Sequence, residues 1–177
     1  MAIVEFLEYW HKKGKAEDDS VFRFFCYYVA FNHLFESCNQ NKHSCSSHIN
    51  HGVDCSNCHE KTKICALIDK YYNKFNSKFN PFDGDILHTE SELIVNTVWR
   101  NAMDGEEFDA GNKEVVYGEI SRWNFKNLFR NIHQVRCNLF HGAKDLQTIN
   151  QRNRELVRES ADVLEHFLEC MIEILKH

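Results

Sequence analysis

The stretch SRWNFKNLFRNIHQVRCNLFHG, residues 121 to 142, decides the fold. Phe125, Leu128, Phe129, Ile132, Val135 and Leu139 keep the spacing of one face of an α-helix. Ser121 stands where an N-cap belongs and Gly142 where a C′ residue belongs, so both helix ends are marked. Further on, Asn150 to Lys176 repeats the pattern through Val157, Ala161, Leu164, Leu168, Met171 and Leu175. Glu155, Glu159, Asp162, Glu165, Glu169 and Glu173 fall outside that seam. The connection is short, so the two helices are expected to pack antiparallel.

Working backwards, a first helix is predicted over Ile3 to Lys13, with Ile3, Leu7 and Trp10 on one side and a break from Gly14 to Ser20. Asp18 or Asp19 then caps a second helix running to Phe35. Val21, Phe22, Phe24, Phe25, Tyr28, Val29, Phe31, Leu34 and Phe35 make it apolar on nearly every face, as expected of a central helix. A third helix is predicted from Glu60 to Lys78 through Ile64, Leu67, Ile68, Tyr71, Tyr72 and Phe75. Asn80 to Asp85 reads as a turn, Glu90 to Met103 as a further helix, and the acidic stretch Asp104 to Gly118 as a loop.

Composition agrees. The 177 residues are 43% hydrophobic and 13% aromatic, which supports a real core and excludes wholesale disorder. Seven Gly and one Pro disfavour a turn-rich β-sandwich. The expectation is an all-α helical bundle, one domain over residues 1–177. No apolar run approaches the roughly 20 residues a membrane span needs. Met1 to Trp10 carries no basic n-region or cleavage site, which predicts a soluble, cytoplasmic protein.

Charge is uneven. The net charge is -5, yet Arg122 to Arg158 holds eight basic residues against Asp145 and Glu155, so this segment carries +6 and the rest of the chain -11. Arg122, Lys126 and Arg130 recur every fourth residue on one helix face. A charged stripe is ordinarily a solvated face. Here it reads equally as a phosphate-binding surface, joined by Lys144.

At the end of the same helix stand Arg136, Asn138 and His141. Arg136 and His141 are about 140° apart around an ideal helix, whereas Asn138 and His141 nearly share a face. An Arg can hold a phosphate bidentately, and an imidazole in a terminal turn can exchange protons near neutrality. One Arg and one His on a helix are also, more plainly, a surface cation and a packed side chain.

The segment Val135 to Gly142, followed by Lys144, resembles the Arg-x4-His signature of the HEPN superfamily. Phe22 to Asn32 is similar to the aromatic second helix of one prokaryotic branch. Cys137 follows the Arg where the family often has a polar residue, and the polar group comes at Asn138. The resemblance implies a small α-helical bundle that forms a homodimer. It implies a metal-independent endoribonuclease (a hydrolase of RNA) acting in antiviral defence or as a toxin, with RNA and an antitoxin or regulatory protein as partners. Arg136 would hold the scissile phosphate, His141 would move protons at the 2′-hydroxyl or the 5′-oxygen, and Asn138 would orient one of them. Other HEPN domains are non-catalytic and bind a partner or a nucleotide, which the resemblance leaves open.

Residues 37–63 form a polar, Cys/His-rich insertion without hydrophobic periodicity, too long for a structureless loop in a compact domain. Cys38, Cys45, Cys55 and Cys58 can supply four thiolates to a structural Zn²⁺, with His43, His48, His51, His59 and Cys65 as alternates. Free thiols, disulfides, a metal-responsive sensor and, through Cys55-x2-Cys58-His59, haem attachment are the other readings. Cys26, Cys137 and Cys170 sit in apolar contexts and read as small buried hydrophobes.

Overall fold

A computed structural model describes residues 2–39, 60–75, 78, 98–100, 107–109, 122–141 and 151–177. The class is all-α. Five helices carry the fold: α1 (Ile3–Lys15), α2 (Ser20–Asn39), α3 (Glu60–Phe75), α4 (Arg122–His141) and α5 (Gln151–Lys176). None of these helices is long and apolar enough to cross a membrane.

Asp19 caps α2, its Oδ1 accepting hydrogen bonds from the backbone N–H of Val21 at 2.8 Å and Phe22 at 3.0 Å. The helix is the hub, packing most extensively on α1 and α5 and also on α3. An aromatic stack ties it to three other helices. Phe31 stacks on Phe129 of α4 at 5.3 Å between ring centroids, and Phe129 meets Phe167 of α5 at 4.5 Å. Phe75 of α3 lies 5.5 Å from Phe167 and 5.0 Å from Phe125. Each such pair contributes about 0.5–1.5 kcal/mol beyond its buried area.

Pairings along the helices set their directions. Glu8, His11 and Lys15 of α1 meet Lys176, Glu169 and Glu165 of α5, so these two run antiparallel. Asp69 to Lys126 and Glu60 to Arg136 make α3 and α4 antiparallel as well. The helix α4 packs more on α3 than on α5, although it meets α5 at Phe129 and Phe167.

Several boundaries differ from the sequence reading. Gly14 does not break α1; it is buried inside it, because a Cβ there would overlap the Tyr27 ring. The second helix runs past Phe35 to Asn39, and α3 begins at Glu60 and ends at Phe75. Residues 37–39 and 60–63 are therefore helical rather than insertion. Glu36 and Lys63 pair at 2.7 Å, which brings the helix ends flanking residues 40–59 together. Val98–Arg100 is a β-strand, not helix, and pairs antiparallel with Glu107–Asp109 inside the expected loop. Val98, Trp99 and Phe108 are strand-favouring residues, and the register sets Trp99 opposite Phe108 and Arg100 opposite Glu107. Glu159 is fully buried instead of lying outside the α5 seam. Because α5 packs against four other helices, its buried arc is wider than one stripe. The Ser121 cap, Gly142 and the turn from Asn80 to Asp85 lie outside the described residues.

Candidate functional site at the end of the fourth helix

The apolar face of α4 (Phe125, Leu128, Phe129, Ile132 and Val135) is buried in the core. Arg136 is one residue past Val135, about 100° around the helix, which turns it toward the rim where α3 begins. Its side chain is 29% exposed, with one guanidinium nitrogen 3.9 Å from a carboxylate oxygen of Glu60. The guanidinium also lies over the Tyr28 ring, 5.7 Å from its centroid. A contact of 3.9 Å is at the outer limit of an ion pair.

Asn138 is half-buried, and its Oδ1 accepts a hydrogen bond from the Gln134 side-chain amide at 2.9 Å. Gln134 in turn accepts one from the Lys61 ammonium at 3.1 Å. His141 is the last residue of α4, and its side chain lies outside the described residues. Five residues separate it from Arg136, about 7.5 Å along the helix axis. Arg136 and Asn138 are thus brought to one helix end, with the His141 backbone completing the turn.

Beneath them sits a buried group that periodicity did not expose. His133 is almost fully enclosed. The Tyr28 hydroxyl lies 2.8 Å from its Nδ1, while Cys137 Sγ lies 3.4 Å and a Glu60 carboxylate oxygen 3.6 Å from its Nε2. Burial, then the positive charges of Lys61 and Arg136, push the His133 pKa down to about 4. The imidazole is therefore neutral near pH 7. Burial pushes the Tyr28 phenol well above its ordinary value, so it remains a donor. With Tyr28 donating to Nδ1, the ring proton belongs on Nε2, facing Glu60 and Cys137. Cys137 is consequently half-buried beside an imidazole rather than packed as a plain hydrophobe. The signal in the sequence was a polar residue, His133, one helical turn after the buried Phe129.

The basic stripe is rearranged. The Lys126 ammonium pairs with Asp69 of α3 at 2.8 Å. Arg130 is half-buried, close enough to Lys61 that burial and then Arg130 lower the Lys61 pKa. Lys61, absent from the sequence reading, thus joins Arg130 and Arg136 along the α3–α4 seam. The Arg122 side chain and Lys144 lie outside the described residues, as do the Cys38 side chain, Cys45, Cys55, Cys58, His43, His48, His51 and His59. Cys65, the remaining alternate ligand, is half-buried on α3.

An apolar cavity of about 640 Å³ opens beside the helix end, lined by Trp10, Phe22, Phe24, Phe25 and Leu139 among others. Phe22 is 62% exposed, unusual for a phenylalanine. Leu139 belongs to the same turn as His141, so the cavity borders the candidate site. No protein-family model, curated protein or solved structure matches the chain.

Proposed function

We propose that the chain is a HEPN-like endoribonuclease that acts without a metal as a homodimer, in phage defence or as the toxin of a toxin–antitoxin pair in the cytoplasm. One observation carries this reading. Arg136 stands half-exposed at the end of α4, its guanidinium over the Tyr28 ring and 3.9 Å from a Glu60 carboxylate oxygen, at the rim where Asn138 and the last turn of the helix also lie. A half-exposed guanidinium at a helix end has the planar fork that grips a phosphate through two parallel hydrogen bonds.

In this reading Arg136 grips the scissile phosphate and stabilises the charge that builds on it. His141 removes the proton from the RNA 2′-hydroxyl or delivers one to the departing 5′-oxygen. The 2′-oxygen forms the new bond to phosphorus as the 5′-oxygen leaves, giving a 2′,3′-cyclic phosphate and a 5′-hydroxyl. Asn138 orients His141 or a phosphate oxygen. His133 does not titrate near neutrality, which leaves His141 as the proton-transfer group of this helix end. Lys61 and Arg130 extend the cationic track, together with Arg122, Lys126 and Lys144. The cavity bordered by Phe22, Phe25 and Leu139 suits a second copy, whose own Arg136 and His141 would complete the cleft. A structural Zn²⁺ on Cys38, Cys45, Cys55 and Cys58 would order the segment whose flanking helix ends Glu36 and Lys63 draw together.

The same cavity favours a second reading, a catalytically silent module that seats a partner's apolar segment there. A short RNA separates the two. Cleavage leaving a cyclic phosphate, and abolished by a single 2′-deoxy substitution at the cut linkage, is expected of the ribonuclease. An RNA that stays intact while the chain captures a protein partner is expected of the module.

A further inference from the structure

Among the described residues one group of three or more metal-ligating side chains converges: His11 of α1 with Glu165 and Glu169 of α5. Their ligand atoms all lie within 4.8 Å of one another. Glu165 and Glu169 are one turn apart on α5, and the antiparallel α1 brings His11 across to them.

Three features set this group apart from an ordinary ion-pair network. Glu165 is held in place from behind: its Oε2 accepts from the Tyr27 hydroxyl at 2.8 Å and from the Arg23 guanidinium. Its Oε1 is left facing the cluster, 3.5 Å from the Lys15 ammonium. His11 Nε2 is sealed from solvent and makes no hydrogen bond among the described residues. Its separation from Glu169 Oε1 is 3.4 Å. Ligands about 2.1 Å from a tetrahedral ion stand about 3.4 Å apart, so that edge is already the right length. The Lys15 ammonium, on a half-exposed, flexible stem, lies between the two carboxylates, 2.8 Å from Glu169 Oε1.

We propose that His11, Glu165 and Glu169 form a binding site for a divalent transition-metal ion, Zn²⁺ by ligand class, which displaces the Lys15 ammonium and staples α1 to α5. One nitrogen and two carboxylate oxygens suit Zn²⁺ and leave a fourth position for water. Ca²⁺ and Mg²⁺ fit poorly, since they favour all-oxygen shells of higher number. Burial, working against the pull of Glu169, holds the His11 imidazole below its ordinary pKa, so the lone pair a metal needs is available. None of these residues is used by the ribonuclease reading, and the site stands whether or not RNA is cleaved.

The test is a titration of the full chain with Co²⁺, followed by visible absorption. An ion held by nitrogen and oxygen gives d–d bands without the sulfur-to-cobalt charge transfer that marks ions held by cysteines. The expected result is such a signal saturating at one ion per chain, displaced by Zn²⁺ and lost in His11→Gln and Glu169→Gln. Tyr27→Phe, which frees the back of Glu165, should weaken binding about tenfold. Lys15→Gln, which removes the competing cation, should tighten it. The thermal midpoint of the wild-type chain should rise with Zn²⁺ concentration. No such signal from the wild-type chain, or one that survives His11→Gln, overturns the site. If His11→Gln fails to fold, failure of Lys15→Gln to tighten Co²⁺ overturns it instead.

Discussion

Arg23 and Arg136 occupy matching settings in two regions of the molecule. Each guanidinium lies 5.7 Å from a tyrosine ring centroid, over Tyr27 and Tyr28 respectively. Their side chains are 26% and 29% exposed. Their anions differ. Arg23 bridges two carboxylates of α5, Asp162 at 2.8 Å and Glu165 at 2.5 Å, and its pKa is raised despite burial. Arg136 faces Glu60 at 3.9 Å. Arg23 is a structural bolt between α2 and α5, while Arg136 stands at the end of α4, where the proposed reaction would have it hold a phosphate. Exposure and aromatic company alone therefore do not distinguish one setting from the other.

The sharpest way to break that contrast is to remove each arginine. Arg23→Ala removes the guanidinium that the half-buried Asp162 and Glu165 share and should cost about 3 kcal/mol in urea unfolding. Arg136→Ala should cost under about 1 kcal/mol by the same measurement. Equal losses would erase the distinction.

A second effect comes from the group under Arg136. The His133 pKa is near 4 when folded and about 6.5 when unfolded, so the unfolded chain takes up the proton first. The stability His133 contributes is therefore present above about pH 6.5 and lost as pH falls toward 4, on the order of 2–3 kcal/mol. Chemical denaturation across that window should show the slope, and His133→Gln should flatten it.

The smallest effect tests the stripe. Lys126 is already engaged by Asp69, so Lys126→Gln should change stability by about 0.5 kcal/mol and weaken RNA binding less than Arg130→Gln does. Filter binding at two salt concentrations would rank them.

Much of the fold was legible because it rests on local period and caps. The hub role of α2 and the apolar faces of α3, α4 and α5 were readable from spacing, and the cap of α2 was narrowed to Asp18 or Asp19, of which Asp19 serves. Gly14 was misread because its reason is a ring from another helix, not a turn. The strand at Val98–Arg100 was misread because a three-residue ladder carries too short a pattern to outweigh nearby helical spacing. Of the site, Arg136, Asn138 and the end of α4 were visible in one helix. The Tyr28–His133–Glu60 group was not, since its members come from three helices and Tyr28 lies 105 residues from His133. The same holds for Arg23, whose partner Glu165 is 142 residues away.

Incubating RNA with wild-type chain, Arg136→Ala and His141→Ala in excess EDTA tests the central claim most directly. Wild type should cleave, and each variant should lose at least about a hundredfold in rate while remaining folded by circular dichroism. Cleavage at wild-type rate by both folded variants would contradict the assignment of the reaction to this helix end.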